Sequence, residues 1–123
     1  MISKEILIVD DDDYIRELLT DFLSMEGFVC QTVSTVDQAV EALNTATNPY
    51  GLILLDRHIE NSLGEDFLAR IRSKSLKTPV ILLTGDHDIG RKEAQDMGAQ
   101  DVIHKPFDVG HLMTCIRSSM VLP

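Results

Sequence analysis

The sequence predicts an α/β fold, a doubly wound five-stranded parallel sheet of (βα)5 form in a single domain spanning residues 1–123. Three observations carry the prediction. Five short apolar runs recur along the chain: Ile6-Leu7-Ile8-Val9, Phe28-Val29-Cys30, Leu52-Ile53-Leu54-Leu55, Val80-Ile81-Leu82-Leu83 and Val102-Ile103. Segments with apolar residues at helical spacing lie between them. A chain of 123 residues is one domain's worth of protein.

The first, third and fourth runs lack polar alternation, the pattern of strands buried on both faces of a parallel sheet, so helices should cover both faces. The first helical segment carries Ile15, Leu18, Leu19, Phe22 and Leu23 as a core-facing stripe and stops at Gly27. The second carries Val36, Ala39, Val40 and Leu43 and ends before Asn48-Pro49; the third carries Leu63, Phe67, Leu68 and Ile71 and ends before Thr78-Pro79. A fourth helix is expected from Asp88 to Met97, polar except for Ile89, Ala94 and Met97, and stopping at Gly98. The last places Val109, Leu112, Met113, Ile116 and Met120 on one face.

Composition narrows the function. With 44% apolar residues and no tryptophan the core is aliphatic. The 20 acidic residues against 11 basic ones give a net charge of −9, which opposes direct nucleic-acid binding by this chain. No signal peptide can be drawn at the N-terminus and no apolar run reaches the roughly 20 residues that span a bilayer, so a soluble cytoplasmic protein without membrane attachment is expected. Cys30 and Cys115 are far apart and outside any Cys-x-x-Cys or Cys/His cluster, and are expected to be buried thiols.

Polar residues gather where the strands end. Asp10, Asp11, Asp12 and Asp13 follow Val9, Asp56 follows Leu55, Thr84 follows Leu83, and His104, Lys105 and Pro106 follow Ile103. In a parallel sheet these positions share one edge, so carboxylates should meet a hydroxyl and an ammonium there. Converging carboxylates repel, and a hard cation such as Mg²⁺ is one way to neutralise them. A carboxylate can also attack a phosphoryl group, and Asp56 is placed for that, with Thr84 and Lys105 opposing the phosphoryl oxygens. Each residue has an ordinary reading by itself: Asp12 or Asp13 as a helix cap, Asp56 as a loop acid, Thr84-Gly85 as a turn, Lys105 as a surface lysine. Their joint placement at successive strand ends favours a site.

These residues resemble the receiver domains of two-component response regulators over essentially the whole chain. The match comprises Ile6 to Asp11, Leu52 to Asp56 with Gly64 eight residues later, Pro79 to Gly85, Gly98-Ala99 and Lys105-Pro106-Phe107. The resemblance implies the flavodoxin-like version of the predicted sheet. It also implies Asp56 as acceptor of a phosphoryl group from a sensor histidine kinase or phosphotransfer protein. Mg²⁺ would be held by Asp11, Asp10, Asp56 and the backbone carbonyl of His58, with Thr84 and Lys105 touching the phosphoryl group. An output domain or downstream protein, and for some members a homodimer, would then read the change. His58 and Asp86 occupy places that tune phosphoryl loss.

Three departures are visible. The switch position that usually holds an aromatic residue is Val102, which puts the coupling of phosphorylation to output in question; Glu60 stands where proline is usual, so a more mobile and more acidic loop is expected after Asp56; and the stretch from Thr84 to Gly98 is short and polar. A phosphate-independent protein-binding module is therefore one competing reading. A haloacid-dehalogenase-like phosphatase is another; Asp10-x-Asp12 permits it superficially, but Tyr14 departs from that pattern and no length remains for a cap domain. A transition-metal site at His58, His87 and His104 is a weaker reading, because none of them is at i, i+4 spacing. Met113 and Met120 read as core packing rather than an oxidation sensor.

Overall fold

A computed structural model describes residues 3–120; the termini discussed above, residues 1–2 and 121–123, lie outside the described residues. The elements run β1 (Glu5–Val9), α1 (Asp13–Met25), β2 (Val29–Val33), α2 (Val36–Thr45), β3 (Leu52–Asp56), β4 (His58–Ile59), β5 (Ser62–Leu63), α3 (Gly64–Ser73), β6 (Val80–Thr84), α4 (Arg91–Asp96), β7 (Asp101–His104) and α5 (Val109–Met120). The main sheet has the order β2-β1-β3-β6-β7, all neighbours parallel, which is the flavodoxin-like arrangement. From β1 the chain steps outward to β2 and then crosses to β3 on the other side. The crevice for a ligand therefore falls beyond the carboxyl ends of β1 and β3.

Period-2 alternation splits the central strands between two apolar layers. Leu7, Val9, Ile53, Leu55, Val80, Leu82 and Val102 share one layer with Ala39 of α2, Phe67, Leu68 and Ile71 of α3 and Ala94 of α4. Ile6, Ile8, Leu52, Leu54, Ile81, Leu83 and Ile103 share the other with Leu19 and Leu23 of α1 and Leu112, Met113, Ile116 and Met120 of α5. Each central strand is sandwiched, which is why its sequence runs apolar without interruption.

Local chemistry sets the helix limits. Asp12 caps α1, its Oδ1 accepting from the amides of Tyr14 at 2.9 Å and Ile15 at 3.4 Å. Helix α4 stops at Gly98, whose φ of +103° favours glycine, and Ala99 returns its amide to the Ala94 carbonyl at 2.9 Å. Arg72 of α3 donates to the carbonyls of Gly98, Leu76 and Thr78 at 3.1, 2.6 and 2.8 Å, tying the two loops that enter β6 and β7 to one helix.

Several expectations need correction. Helix α4 covers only Arg91–Asp96, because Gly90 serves as its N-cap and its amide is taken by the Glu93 side chain at 3.0 Å, leaving 88–90 as loop. Leu18 is exposed and lies with Tyr14 and Met25 on the outward face of α1, while Leu63 falls in β5 and precedes α3. Phe28 stands before β2 rather than in it, and Cys30 is half-buried because β2 is an edge strand; Cys115 is buried. The segment after Asp56 is a paired hairpin, β4 against β5, where a mobile loop was expected.

Candidate functional site

The carboxyl ends of β1 and β3 bring Asp10, Asp11 and Asp56 together, with one carboxylate oxygen from each lying within 4.8 Å of the others. Among the described residues this is the only such group of three or more metal-ligating side chains. Asp10 is fully buried, Asp56 is 7% exposed and Asp11 opens to solvent. Backbone amides orient each of them. Asp12 donates to Asp10 Oδ1 at 2.9 Å, His58 to Asp56 Oδ1 at 3.3 Å and Glu60 to Asp11 Oδ2 at 2.7 Å. Arg16 of α1 donates from Nη1 to the Asp10 carbonyl at 2.8 Å, fixing the main chain behind the cluster.

Lys105 enters from the end of β7, its Nζ at 3.1 Å from Asp10 Oδ2 and 3.4 Å from Asp56 Oδ2. One ammonium cannot balance the negative charge of three carboxylates. Burial, and then the Asp10 charge, push the Asp56 carboxyl up to about 6, with Lys105 and the His58 amide opposing them. Burial would lower the Lys105 ammonium, but Asp10 and Asp56 outweigh it and hold the lysine above its ordinary value. Three oxygen donors with charge left over suit a hard divalent ion of magnesium's size and leave room for waters or a phosphoryl oxygen. The donor set fits Mg²⁺.

Thr84, at the end of β6, is almost fully buried, and its Oγ1 accepts from the Asp86 amide at 3.0 Å. Its own O–H proton is left to donate. Gly64 begins α3 against the backbone of Asp56 and Arg57, and a Cβ there would stand 2.5 Å from the Asp56 carbonyl oxygen. That close approach explains a glycine eight residues beyond Asp56.

Asp10, Asp11, Asp56 and Lys105 converge, whereas the side chains of Val102, Asp86, His58, His87 and His104 do not join the cluster. Val102 is 7% exposed and packs in the layer with Ala94 and Ala99, under α4. His104 bonds through Nε2 to the Ile89 carbonyl at 2.7 Å and stacks on His87, ring centroids 5.1 Å apart, so these histidines brace the α4 approach and leave His58 out. Sequence reading missed Arg57, which forms ion pairs with Glu65 at 2.7 Å and Asp86 at 2.8 Å. It singled out Glu60 as a departure but not the role of its amide: a φ of +54° opens the β4–β5 turn and aims that amide at Asp11. The proline at that position in the receiver pattern cannot adopt such a φ and has no amide to give.

The sheet order and this edge define a receiver-type α/β domain. The family profile of the response regulator receiver domain matches residues 6–117, and the chain belongs to that family. Membership marks a signalling domain rather than a turnover enzyme, which sets aside the phosphatase reading. The chain is 36% identical over 115 residues to the transcriptional regulatory protein BasR of Escherichia coli strain K12, covering 93% of this chain and 51% of that protein. It spans about half the length of the curated relatives it matches. The receiver domain of NtrX from Brucella abortus superposes with a TM-score of 0.84 at 31% identity, covering 94% of this chain and 97% of that one. The beryllofluoride-activated NtrC4 receiver domain dimer gives a TM-score of 0.83 at 28% identity, with coverages of 95% and 96%. Among the described residues no helix is long and apolar enough to cross a membrane.

Proposed function

We propose that residues 1–123 form one receiver domain that takes a phosphoryl group on Asp56 from a histidine kinase or phosphotransfer protein and passes the change to an output domain or partner. The observation that carries this reading is the three-carboxylate edge capped by Lys105 at 3.1 and 3.4 Å. In the step, an Asp56 oxygen forms a bond to phosphorus as the donor's phosphorus–nitrogen bond breaks, and the electron pair leaves with the donor imidazole. Lys105 balances the charge that arrives, and the Thr84 hydroxyl donates to a phosphoryl oxygen. Asp10, Asp11, Asp56 and the His58 carbonyl would hold Mg²⁺, which when bound would neutralise charge on the phosphoryl oxygens. His58 and Asp86 tune loss of the group to water. A cytoplasmic location belongs to the same proposal.

Intact mass after incubation with a small-molecule phosphodonor and Mg²⁺ tests the reading. One metal-dependent phosphoryl adduct is expected, and none for Asp56→Asn. An unchanged mass together with no shift in melting temperature from a phosphoryl analogue plus Mg²⁺ refutes it. The activated dimer of the NtrC4 receiver makes self-association after phosphorylation the first partner interaction to measure.

A second reading, phosphate-independent partner binding, is favoured by one observation. Val102 is a small side chain packed under α4, without the ring that would swing there. Equal partner affinity before and after phosphorylation would support it.

A further inference from the structure

Arg57 follows the acceptor directly, yet its guanidinium is committed elsewhere. Nε donates to Glu65 Oε1 at 2.7 Å, on the first turn of α3, and Nη1 donates to Asp86 Oδ2 at 2.8 Å, in the loop after β6. Asp86 carries the connection onward. Its amide donates to Thr84 Oγ1 at 3.0 Å, and its other carboxylate oxygen accepts from the Asp88 amide at 3.0 Å. The Arg57 amide also donates to the Leu83 carbonyl at 2.9 Å, so main chain and side chain both tie the acceptor loop to the end of β6. The guanidinium side chain is 15% exposed, and a planar fork bridging two carboxylates is a geometry lysine cannot reproduce. The Asp88 amide, opposed by burial and assisted by Arg57, holds the Asp86 carboxyl below its ordinary range.

We propose that Arg57 is a positioning residue for phosphoryl transfer at Asp56, fixing through Asp86 where the Thr84 hydroxyl stands. This rests on the receiver reading above. Glu65 is the anchor on α3, Arg57 the bridge, and Asp86 the group that delivers the constraint to Thr84. None of the three touches the reacting oxygens in this account, so their effects must run through one path and must not multiply.

The test measures adduct formation from a small-molecule phosphodonor at saturating Mg²⁺ in the full chain. Arg57→Gln and Asp86→Ala should each slow it by roughly three- to tenfold, and the double variant should be no slower than the slower single one. Arg57→Lys, which keeps the charge and loses the fork, should fall between Arg57→Gln and wild type. A readout independent of phosphorylation is hydrogen exchange of the Asp86 amide by NMR, which should be faster in Arg57→Gln. A merely structural arginine would lower the melting temperature and leave the rate well below melting unchanged. Rates that multiply in the double variant, or an Arg57→Gln rate equal to wild type, overturn the proposal alone. A wild-type chain that forms no adduct overturns the receiver reading and the proposal with it.

Discussion

Replacing Asp56 by asparagine should stabilise the metal-free protein, and the gain should grow with pH. The Asp56 carboxyl stands at about 6 against an ordinary 3.8, first because it is buried and then because Asp10 lies beside it. Between those two values the folded chain holds more proton than the unfolded chain, so the stability this group contributes is complete below about pH 4 and lost as pH rises through about 6. At about 1.4 kcal/mol per pKa unit, the loss at neutral pH has an upper bound of about 3 kcal/mol. Water reaching the cluster past the open Asp11 brings the expected gain to about 1–3 kcal/mol. Urea denaturation of wild type and Asp56→Asn in chelator, at about pH 4.5 and about pH 7.5, measures it. The difference at the lower pH should be about a third of that at the higher, where it should be about 1–3 kcal/mol in favour of the variant. Millimolar Mg²⁺ should narrow it by stabilising wild type preferentially. An asparagine variant less stable than wild type at the higher pH without metal, or a difference independent of pH, would refute the electrostatic account.

Three further outcomes follow from the same geometry. Lys105→Met leaves the buried Asp10 carboxylate without its cation, and should cost about 1–3 kcal/mol in denaturant at neutral pH while abolishing the phosphoryl adduct. Gly64→Ala drives a methyl group toward the Asp56 carbonyl, and should destabilise by about 1–3 kcal/mol and slow adduct formation, read by urea titration and intact mass. Glu60→Pro removes the amide that orients Asp11 and forbids the turn's φ, so Mg²⁺ affinity by titration should fall several-fold even though proline is usual there in the receiver pattern.

The sheet was legible because its central strands are buried on both faces, which leaves Ile6 to Val9, Leu52 to Leu55 and Val80 to Leu83 as uninterrupted apolar runs. The acid cluster was legible because a parallel sheet lines up its strand ends, so Asp10, Asp11, Asp56 and Lys105 needed only the correct register. The hairpin after Asp56 was not legible, since its strands are two residues each and its turn opens on a glutamate at positive φ where glycine would have announced it. The Arg57 bridge escaped because its partners are 8 and 29 residues away, at spacings that belong to no local pattern. Leu18 and Leu63 were placed in the core because periodicity marks a face without saying how wide that face is.

The ion pair between Lys105 and Asp10 joins residues 95 positions apart, near opposite ends of the described chain. Neither a fragment lacking β7 nor one lacking β1 can assemble the acceptor edge, and a chain emerging from synthesis acquires it only when the last strand has docked. The pair thus reports that the first and last strands of the sheet are docked together: a copy lacking either strand cannot present this cluster.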